Sequence, residues 1–366
     1  MRNSLLALLV CPACQGKLTI KSGTMSQGEL WEGALGCREC GASFDVRQGM
    51  PFLYRDDASW VSKAREADGW VAIHKKQGNY EPSEEAVDLQ IPYYPEEPWI
   101  GVARSFDAAL ELLKLSGSEL VLDLGAGRGW AAKEFARLGC EVIALDVVPD
   151  ENIGLGRARA LMEHAGVFFE RVIGDGENLP FQPESFDLVF CSAALHHATD
   201  LGLLLQNVQR VLKVGGRLCA IREPWLSMVE DEAEQVNREA AEELAVGIHE
   251  TCPTYMDYLD RLQRGGLEPL RVVPAGTLHM SDAEVQAWAR DLGALIAMPN
   301  WREPRRSAWR LWAYARRRLG ALRRRRLLLS WNHGASDEGE RALKAVLRWC
   351  KGELFVLARK GEREEK

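Results

Sequence analysis

The sequence predicts a doubly wound, Rossmann-like α/β domain that follows a small N-terminal zinc ribbon. Three observations support this fold class. Short apolar runs alternate with amphipathic helical patterns from Phe106 onward. A glycine-rich turn, Gly125–Gly129, follows the first of these runs. Two C-x-x-C units stand within the first 40 residues. At 366 residues, of which 46% are hydrophobic, the chain is long enough for both units and for a substantial core.

Buried parallel strands are predicted where apolar runs show no polar alternation. Such runs are Leu120–Leu124, Val142–Leu145 and, apart from Asp187, Phe186–Cys191. Further strands are expected at Arg217–Ile221, Leu267–Val273 and Leu354–Ala358. The segments between them have helical periodicity. Residues 201–212, for example, carry apolar side chains at i, i+3, i+4, i+7, i+10 and i+11. The alternation of strand and helix indicates a sheet with helices on both faces.

The chain divides into three parts on composition. Residues 1–54 form the cysteine-bearing unit, residues 55–102 a linker or loose helical arm, and residues 103–366 the α/β domain. Prolines at 92, 95 and 98 exclude a regular helix there, so this strap either connects surfaces or covers a ligand pocket. Residues 223–350 exceed what sheet connections need, and we expect a helical cap, including a helix over Ser281–Ala297.

The four clustered cysteines have the spacing of a zinc ribbon. They are Cys11, Cys14, Cys37 and Cys40, two C-x-x-C units separated by 22 residues. Four thiolates complete a tetrahedron and leave no position for water, so this zinc would be structural. A redox dithiol or two disulfides are the alternatives. The other five cysteines are scattered in the sequence, as is typical of buried residues in a reducing compartment.

Three acids are predicted at one edge of the sheet, beside the glycine turn. Gly125 and Gly127 allow the backbone to approach a ligand closely. Asp123 precedes them and would repel a pyrophosphate, so the turn favours a ligand that carries positive charge. Asp146 ends the second strand, where a carboxylate can accept ribose hydroxyls, and Asp175 follows the third and could accept an adenine amino group. The alternative is that each is a loop or N-cap acid.

Five segments in this order resemble the class I S-adenosylmethionine-dependent methyltransferases of the type 11 group. They are VLDLGAGRGW, VIALD, GDGENLPF, FDLVFCSAALHH and VLKVGGRL, and the resemblance covers roughly residues 103–222. It implies S-adenosylmethionine as cofactor and a seven-stranded sheet whose seventh strand is antiparallel. It also implies cofactor contacts at Gly125, Gly127, Asp146, Asp175 and Gly176, with the backbone near Cys191 beside the methionine moiety.

The first 54 residues resemble the Trm112-like zinc-binding domain. Such domains are found as partners of methyltransferases or fused to them. The same layout is also similar to the zinc-binding N-terminus of bacterial ribosomal-RNA guanine methyltransferases. In those enzymes one ligand is usually histidine, whereas the fourth position here is Cys40.

Candidate reacting groups follow the fourth predicted strand. Methyl transfer from a sulfonium mainly requires alignment, but an oxygen or nitrogen acceptor usually needs a base. His196 and His197 are the candidates, unless they are structural loop histidines. Substrate contacts are expected from Glu223 after the fifth strand and from three residues of the presumed cap, unless these only pack the cap. The three are His249, Glu250 and Tyr255.

A basic segment lies near the C-terminus. Arg302–Arg326 contains eleven arginines and one acid, with the pattern of an amphipathic helix. It could bind RNA phosphates, an anionic membrane surface, or an acidic or phosphorylated substrate. It could equally pair with the acidic segment Glu230–Glu243 or remain a solvated face.

Together these observations predict an S-adenosylmethionine-dependent methyltransferase acting on the oxygen or nitrogen of a small molecule. One alternative is an RNA base methyltransferase that binds RNA through the ribbon and the arginine segment. The other is an interaction module that binds cofactor without turnover. The sequence has no apolar run of membrane-spanning length, and its N-terminal apolar stretch is too short for a secretory signal, so we expect a cytoplasmic protein.

Overall fold

The structure is a computed structural model of the 366-residue chain. It describes residues 1–26, 28–55, 57–83, 86–227, 231–278, 280–281, 283–287 and 351–361. The arginine segment Arg302–Arg326 lies outside the described residues, as do most of the predicted cap and Glu230.

The N-terminal unit is a short helix followed by two β-hairpins. Its elements are α1 (Asn3–Leu8), β1 (Leu18–Ser26), β2 (Glu29–Cys37), β3 (Ser43–Arg47) and β4 (Met50–Leu53). Neighbouring strands of this unit pair antiparallel. The last strand, β4, forms the connection to the rest of the chain.

Three helices come next, before the α/β domain. They are α2 (Ala58–Gln77), α3 (Val87–Gln90) and α4 (Trp99–Leu113). The segment expected to be a linker or loose helical arm contains a 20-residue helix, α2. Its Ala67 is buried against Val148 and Ile153 of the α/β domain.

The α/β domain alternates strands and helices as the sequence predicted. Its first part comprises β5 (Leu120–Leu124), α5 (Trp130–Arg137), β6 (Glu141–Asp146), α6 (Ala158–Ala165), β7 (Glu170–Gly174), β8 (Phe186–Ser192), α7 (Leu201–Val211) and β9 (Leu212–Trp225). Its second part comprises α8 (Glu232–Glu239), α9 (Ala241–Val246), α10 (Tyr255–Arg264), β10 (Leu267–Pro274) and β11 (Gly352–Lys360). Ser281 and Glu284 form the predicted capping pair, with the Ser281 hydroxyl donating to the Glu284 carboxylate at 2.7 Å.

The strands form one mixed sheet. Its order is β1-β2-β3-β4-β7-β6-β5-β8-β9-β11-β10. Strands β5 to β9 pair in parallel, whereas β11 is antiparallel to both β9 and β10. The sheet has eleven strands in the described residues instead of the expected seven, because Phe52 and Leu53 of β4 pair in parallel with β7.

The ribbon and the α/β domain share a hydrophobic core as well as a sheet. Leu18 and Leu35 of the ribbon belong to the same buried cluster as Leu122 and Val189 of the central strands. Burial of a leucine contributes roughly 1.5–3 kcal/mol, so this junction stabilises both units. Among the described residues, no helix combines the length and apolar character that crossing a membrane requires.

Candidate active site

A cavity of about 410 Å³ lies at the carboxyl ends of the parallel strands. This is the edge at which open α/β sheets bind their ligands. Five of the predicted cofactor residues line it, namely Gly125, Gly127, Asp146, Asp175 and Gly176. Helix α2 also lines the cavity.

The glycine turn after β5 needs its glycines for two reasons. Gly125 has a φ of +70°, and a Cβ there would lie 2.6 Å from the Cβ of Ala194. Gly127 has a φ of +54°, and a Cβ there would meet no atom within 4 Å. The first glycine therefore allows close packing against the loop after β8, and the second leaves open space above the turn.

Asp146 lies at the end of β6 and faces the glycine turn. One carboxylate oxygen accepts the N–H of Gly127 at 2.7 Å, and the other accepts the N–H of Val148 at 2.8 Å. Burial raises the pKa of Asp146 above its usual value, while these backbone N–H groups lower it. The carboxylate keeps lone pairs that can accept further hydrogen bonds from a ligand.

Asp175 follows β7 and caps a short turn by accepting the N–H of Glu177 at 2.9 Å. Burial raises the pKa of Asp175, and the ammonium group of Lys63 opposes that shift. The turn also contacts the ribbon, since the Asn178 side chain donates to the carbonyl oxygen of Pro12 at 3.1 Å. The first cysteine turn of the ribbon therefore braces the loop that carries Asp175.

Two other predicted cofactor residues do not line this cavity in the described part of the chain. Asp123 is 2% exposed and accepts the N–H of Ala132 at 2.9 Å, which ties β5 to α5. Burial raises the pKa of Asp123 to about 7. The Cys191 thiol is completely buried in β8, while the following residues, Ser192–Ala194, line the cavity.

Helix α2 contributes four cavity residues that the sequence reasoning missed. They are Lys63, Glu66, Trp70 and His74. Their spacing of i, i+3, i+7 and i+11 places them on one face of a helix. This spacing is the feature of the sequence from which the cavity face of α2 could have been predicted. Trp99, the first residue of α4, also lines the cavity.

Lys63 is a buried cation among carboxylates. Its Nζ lies 3.2 Å from Glu66 and 3.5 Å from Glu177, and it donates to the carbonyl oxygen of His197 at 3.3 Å. Burial lowers the pKa of Lys63, but the carboxylates of Glu66, Asp175 and Glu177 outweigh burial and raise it. The ammonium group therefore joins α2 to the loop that follows β8.

His197 lines the cavity, whereas His196 lies behind it. The Nδ1 of His197 lies 2.9 Å from the carbonyl oxygen of His249. A carbonyl oxygen can only accept, so Nδ1 carries the proton, and the neutral ring has an unprotonated Nε2. Burial, and then the neighbouring His196, lower the pKa of His197 well below its usual value.

His196 lies between two carboxylates. Its Nδ1 is 3.0 Å from Glu223, and its Nε2 is 3.7 Å from Glu250. Burial lowers the pKa of His196, but hydrogen bonding and attraction to Glu223 outweigh burial and raise it. The two adjacent histidines thus favour opposite protonation states.

The remaining predicted substrate residues have distinct positions. The structure brings Glu223, His249 and Glu250 together with the histidine pair. Tyr255 begins α10 and packs into the hydrophobic core. None of these four side chains lines the cavity within the described residues.

The four ribbon cysteines also come together. The Sγ atoms of Cys11 and Cys40 are 3.7 Å apart, and those of Cys14 and Cys37 are 3.5 Å apart. A tetrahedral zinc with bonds of about 2.3 Å to sulfur places its ligands about 3.8 Å apart, so the cluster fits zinc. All four sulfurs lie within 4.8 Å of one another.

Comparison with known families assigns two domains. Residues 122–220 match the family described as "Methyltransferase domain", and residues 2–49 match "Trm112p-like protein". The part of the chain that contains the cavity therefore matches a methyltransferase domain. This domain follows an N-terminal Trm112p-like domain in the same chain.

Curated relatives match part of the chain. A ubiquinone biosynthesis O-methyltransferase from Xanthomonas euvesicatoria is 33% identical over 187 residues, which cover 50% of this chain and 64% of the relative. A demethylmenaquinone methyltransferase from Thermobifida fusca is 39% identical over 104 residues, which cover 27% of this chain and 42% of the relative. The chain thus spans less than two thirds of the length of either relative. Among solved structures, a putative methyltransferase from Bacillus halodurans is 23% identical, with a TM-score of 0.44, and the match covers 70% of this chain and 100% of that one.

Proposed function

We propose that the protein transfers the methyl group of S-adenosylmethionine to an oxygen or nitrogen atom of a small molecule, with His197 as the base. One observation carries this proposal. The cavity that contains Asp146 and Asp175 is also lined by His197, whose Nε2 is unprotonated in the neutral ring. Cofactor-binding groups and a proton acceptor therefore share one cavity.

The residues of the cavity fit the cofactor. Asp146 can accept both hydroxyls of a ribose, and Asp175 can accept an adenine amino group. The open space above Gly127 lets backbone approach the ligand without a Cβ between them. S-adenosylmethionine would supply a methyl group that is already activated, so this chain has to align the acceptor and exclude water.

His197 would take the proton of the acceptor. Its Nδ1 proton is held by the His249 carbonyl oxygen, which orients Nε2 as the free acceptor nitrogen. The Trp70 ring meets the His197 ring edge-on at 5.3 Å and restricts its rotation. His196 does not line the cavity within the described residues, so we assign the base role to His197 alone.

A small acceptor suits the size of the cavity. The cavity of about 410 Å³ has to hold the cofactor as well as the acceptor, which leaves room for a small acceptor group only. Two of the curated relatives have names that refer to quinones, one to ubiquinone biosynthesis and the other to demethylmenaquinone. Quinones are small molecules. Trp70 and Trp99 would offer aromatic surface to such an acceptor.

We further propose that the ribbon cysteines hold a structural zinc ion. Four thiolates leave no open coordination position, so this zinc would stabilise the fold and take no part in methyl transfer. The N–H of Glu39 lies 3.4 Å from the Cys37 sulfur, an outer-shell contact that suits a thiolate ligand.

The test uses S-adenosylmethionine with a tritiated methyl group. The purified protein is incubated with a bacterial extract separated into small molecules, RNA and protein. We expect label in the small-molecule fraction and none with His197→Gln, which should still bind S-adenosylhomocysteine. Label in RNA would contradict the small acceptor, and full activity of His197→Gln would contradict the base.

A further inference from the structure

We propose that Glu223 is a positioning residue that holds His196 as a doubly protonated imidazolium and thereby keeps its neighbour His197 neutral. This inference rests on the proposed function, in which His197 acts as the base. The sequence suggested a substrate contact for Glu223, but its side chain is completely buried and does not line the cavity within the described residues.

The Glu223 carboxylate is surrounded by donors. One oxygen accepts the N–H groups of Ala194 and Leu195 at 2.9 and 3.0 Å. The other lies 3.3 Å from the N–H of His196 and 3.0 Å from its Nδ1. Three of these donors are backbone N–H groups, which can only donate. Both Glu223 oxygens must therefore accept hydrogen bonds, as those of an ionised carboxylate do.

The backbone is strained on both sides of this contact. Ala193 has a φ of +50° and Arg222 has a φ of +60°, and each directly precedes a residue of the contact. Left-handed conformations at residues other than glycine cost about 1–3 kcal/mol and persist where the surroundings determine them. The hydrogen bonds to Glu223 hold the backbone of the loop that follows β8 in this conformation.

The same loop is joined to the cap through His196. The N–H and hydroxyl of Thr251 donate to the His196 carbonyl oxygen at 3.0 and 2.7 Å. Glu250 faces the Nε2 of His196, and the His249 carbonyl accepts from His197. Residues 249–251 are therefore held against the histidine pair, and Glu223 fixes the other side of the pair.

The charges around the pair explain the division of protons. His196 faces Glu223 from β9, Glu250 from the cap and Glu66 from α2, and its nearest basic neighbour is His197. His197 faces the cations of Lys63 and His196, and its Nδ1 lies 3.4 Å from Glu250. Glu250 therefore contacts both rings, and Glu223 is the carboxylate that distinguishes His196 from His197. The two rings are 4.0 Å apart between centroids, so a proton on His196 disfavours a second proton on His197. A base must be neutral to accept a proton, so this arrangement keeps His197 competent near neutral pH.

The test replaces Glu223 with glutamine. Glu223→Gln keeps the volume, but its amide NH₂ faces donors, and we expect His196 to lose its Nδ1 proton. The matched control is Glu353→Gln, which removes an exposed ion pair with Arg222 next to the contact. The full chain has seven histidines, so ¹⁵N NMR can resolve each ring, with His196→Gln and His197→Gln used for assignment.

In the wild type at pH 7, we expect both His196 nitrogens to be protonated and His197 to carry a proton on Nδ1 only. In Glu223→Gln, the titration midpoint of His196 should fall by at least about one unit, while the control leaves it unchanged. A neutral His196 in the wild type would overturn the proposal even if the variant does not fold. So would selective broadening of both histidine signals by micromolar Mn²⁺, because the cluster would then hold a cation in place of a proton.

These results separate the inference from the proposed function. The expected NMR pattern in a protein that neither binds S-adenosylhomocysteine nor transfers methyl groups would refute the proposed function and leave Glu223 with its electrostatic role. Methyl transfer with a neutral wild-type His196 would refute only the role of Glu223.

Discussion

Replacement of Asp146 by alanine perturbs the proposed cofactor site at the residue whose contacts are best defined. The substitution removes a carboxylate that would accept two ribose hydroxyls and that also accepts the N–H groups of Gly127 and Val148. A hydrogen bond to a charged group contributes roughly 1.5–3 kcal/mol. The acceptor capacity of Asp146 is shared with two backbone groups, so we expect the loss to equal about one such hydrogen bond, roughly 1.5–3 kcal/mol, and not the sum of two.

We therefore expect S-adenosylhomocysteine to bind about 10- to 100-fold more weakly to Asp146→Ala, at about 1.4 kcal/mol per factor of ten. The fold should survive, because the preceding residues of β6 remain paired with β5 and β7. Isothermal titration calorimetry measures the affinity, and thermal melts check folding.

The matched control is Asp187→Ala. Asp187 also accepts a backbone N–H, from Leu120 at 2.9 Å, and pairs with the partly exposed Lys213. It is the second residue of β8 and does not line the cavity within the described residues. The control should bind S-adenosylhomocysteine like the wild type. Unchanged affinity in folded Asp146→Ala would refute the proposed orientation of the cofactor.

Three further predictions concern stability. Burial raises the pKa of Asp123 to about 7, so between pH 4 and pH 7 the folded protein binds a proton that the unfolded chain has lost. The unfolding free energy of the wild type should therefore fall by roughly 2–4 kcal/mol as the pH rises from 4 to 7, compared with that of Asp123→Asn. Chemical denaturation across this pH range measures the difference. Lys63→Met leaves buried carboxylates unpaired and should lower the unfolding free energy by about 3 kcal/mol, whereas Lys76→Met, which breaks an exposed pair on the same helix, should change it little. Cys37→Ser should lose one zinc ion per chain, measured by atomic absorption, and should have a lower melting temperature and weaker S-adenosylhomocysteine binding. Zinc retention or an unchanged melting temperature would contradict the structural role of the zinc. Cys252→Ser, outside the cluster, is the control.

Much of the α/β domain could be predicted because its strands are buried on both faces. Leu120–Leu124 was predicted with the bounds that the structure has, since a run that is apolar apart from Asp123, between a polar segment and a glycine turn, has few other interpretations. The strand-end position of Asp146 followed from the same pattern.

Other features depend on tertiary contacts that no local pattern carries. The pairing of β4 with β7 joins segments about 120 residues apart, and the ribbon strands alone do not reveal it. Helix α2 has a polar and aromatic stripe that the sequence does display, but its role depends on lying over the strand ends. The buried position of Glu223 depends on the left-handed backbone at Arg222, which the sequence does not indicate because such conformations are rare outside glycine.

The most direct test of the central claim is a crystal structure of the protein with S-adenosylhomocysteine bound. We predict that its ribose hydroxyls contact Asp146, that its adenine lies beside Asp175, and that its sulfur faces the side of the cavity lined by His197. A ligand bound elsewhere, or one bound in this cavity with its ribose away from Asp146, would contradict the account.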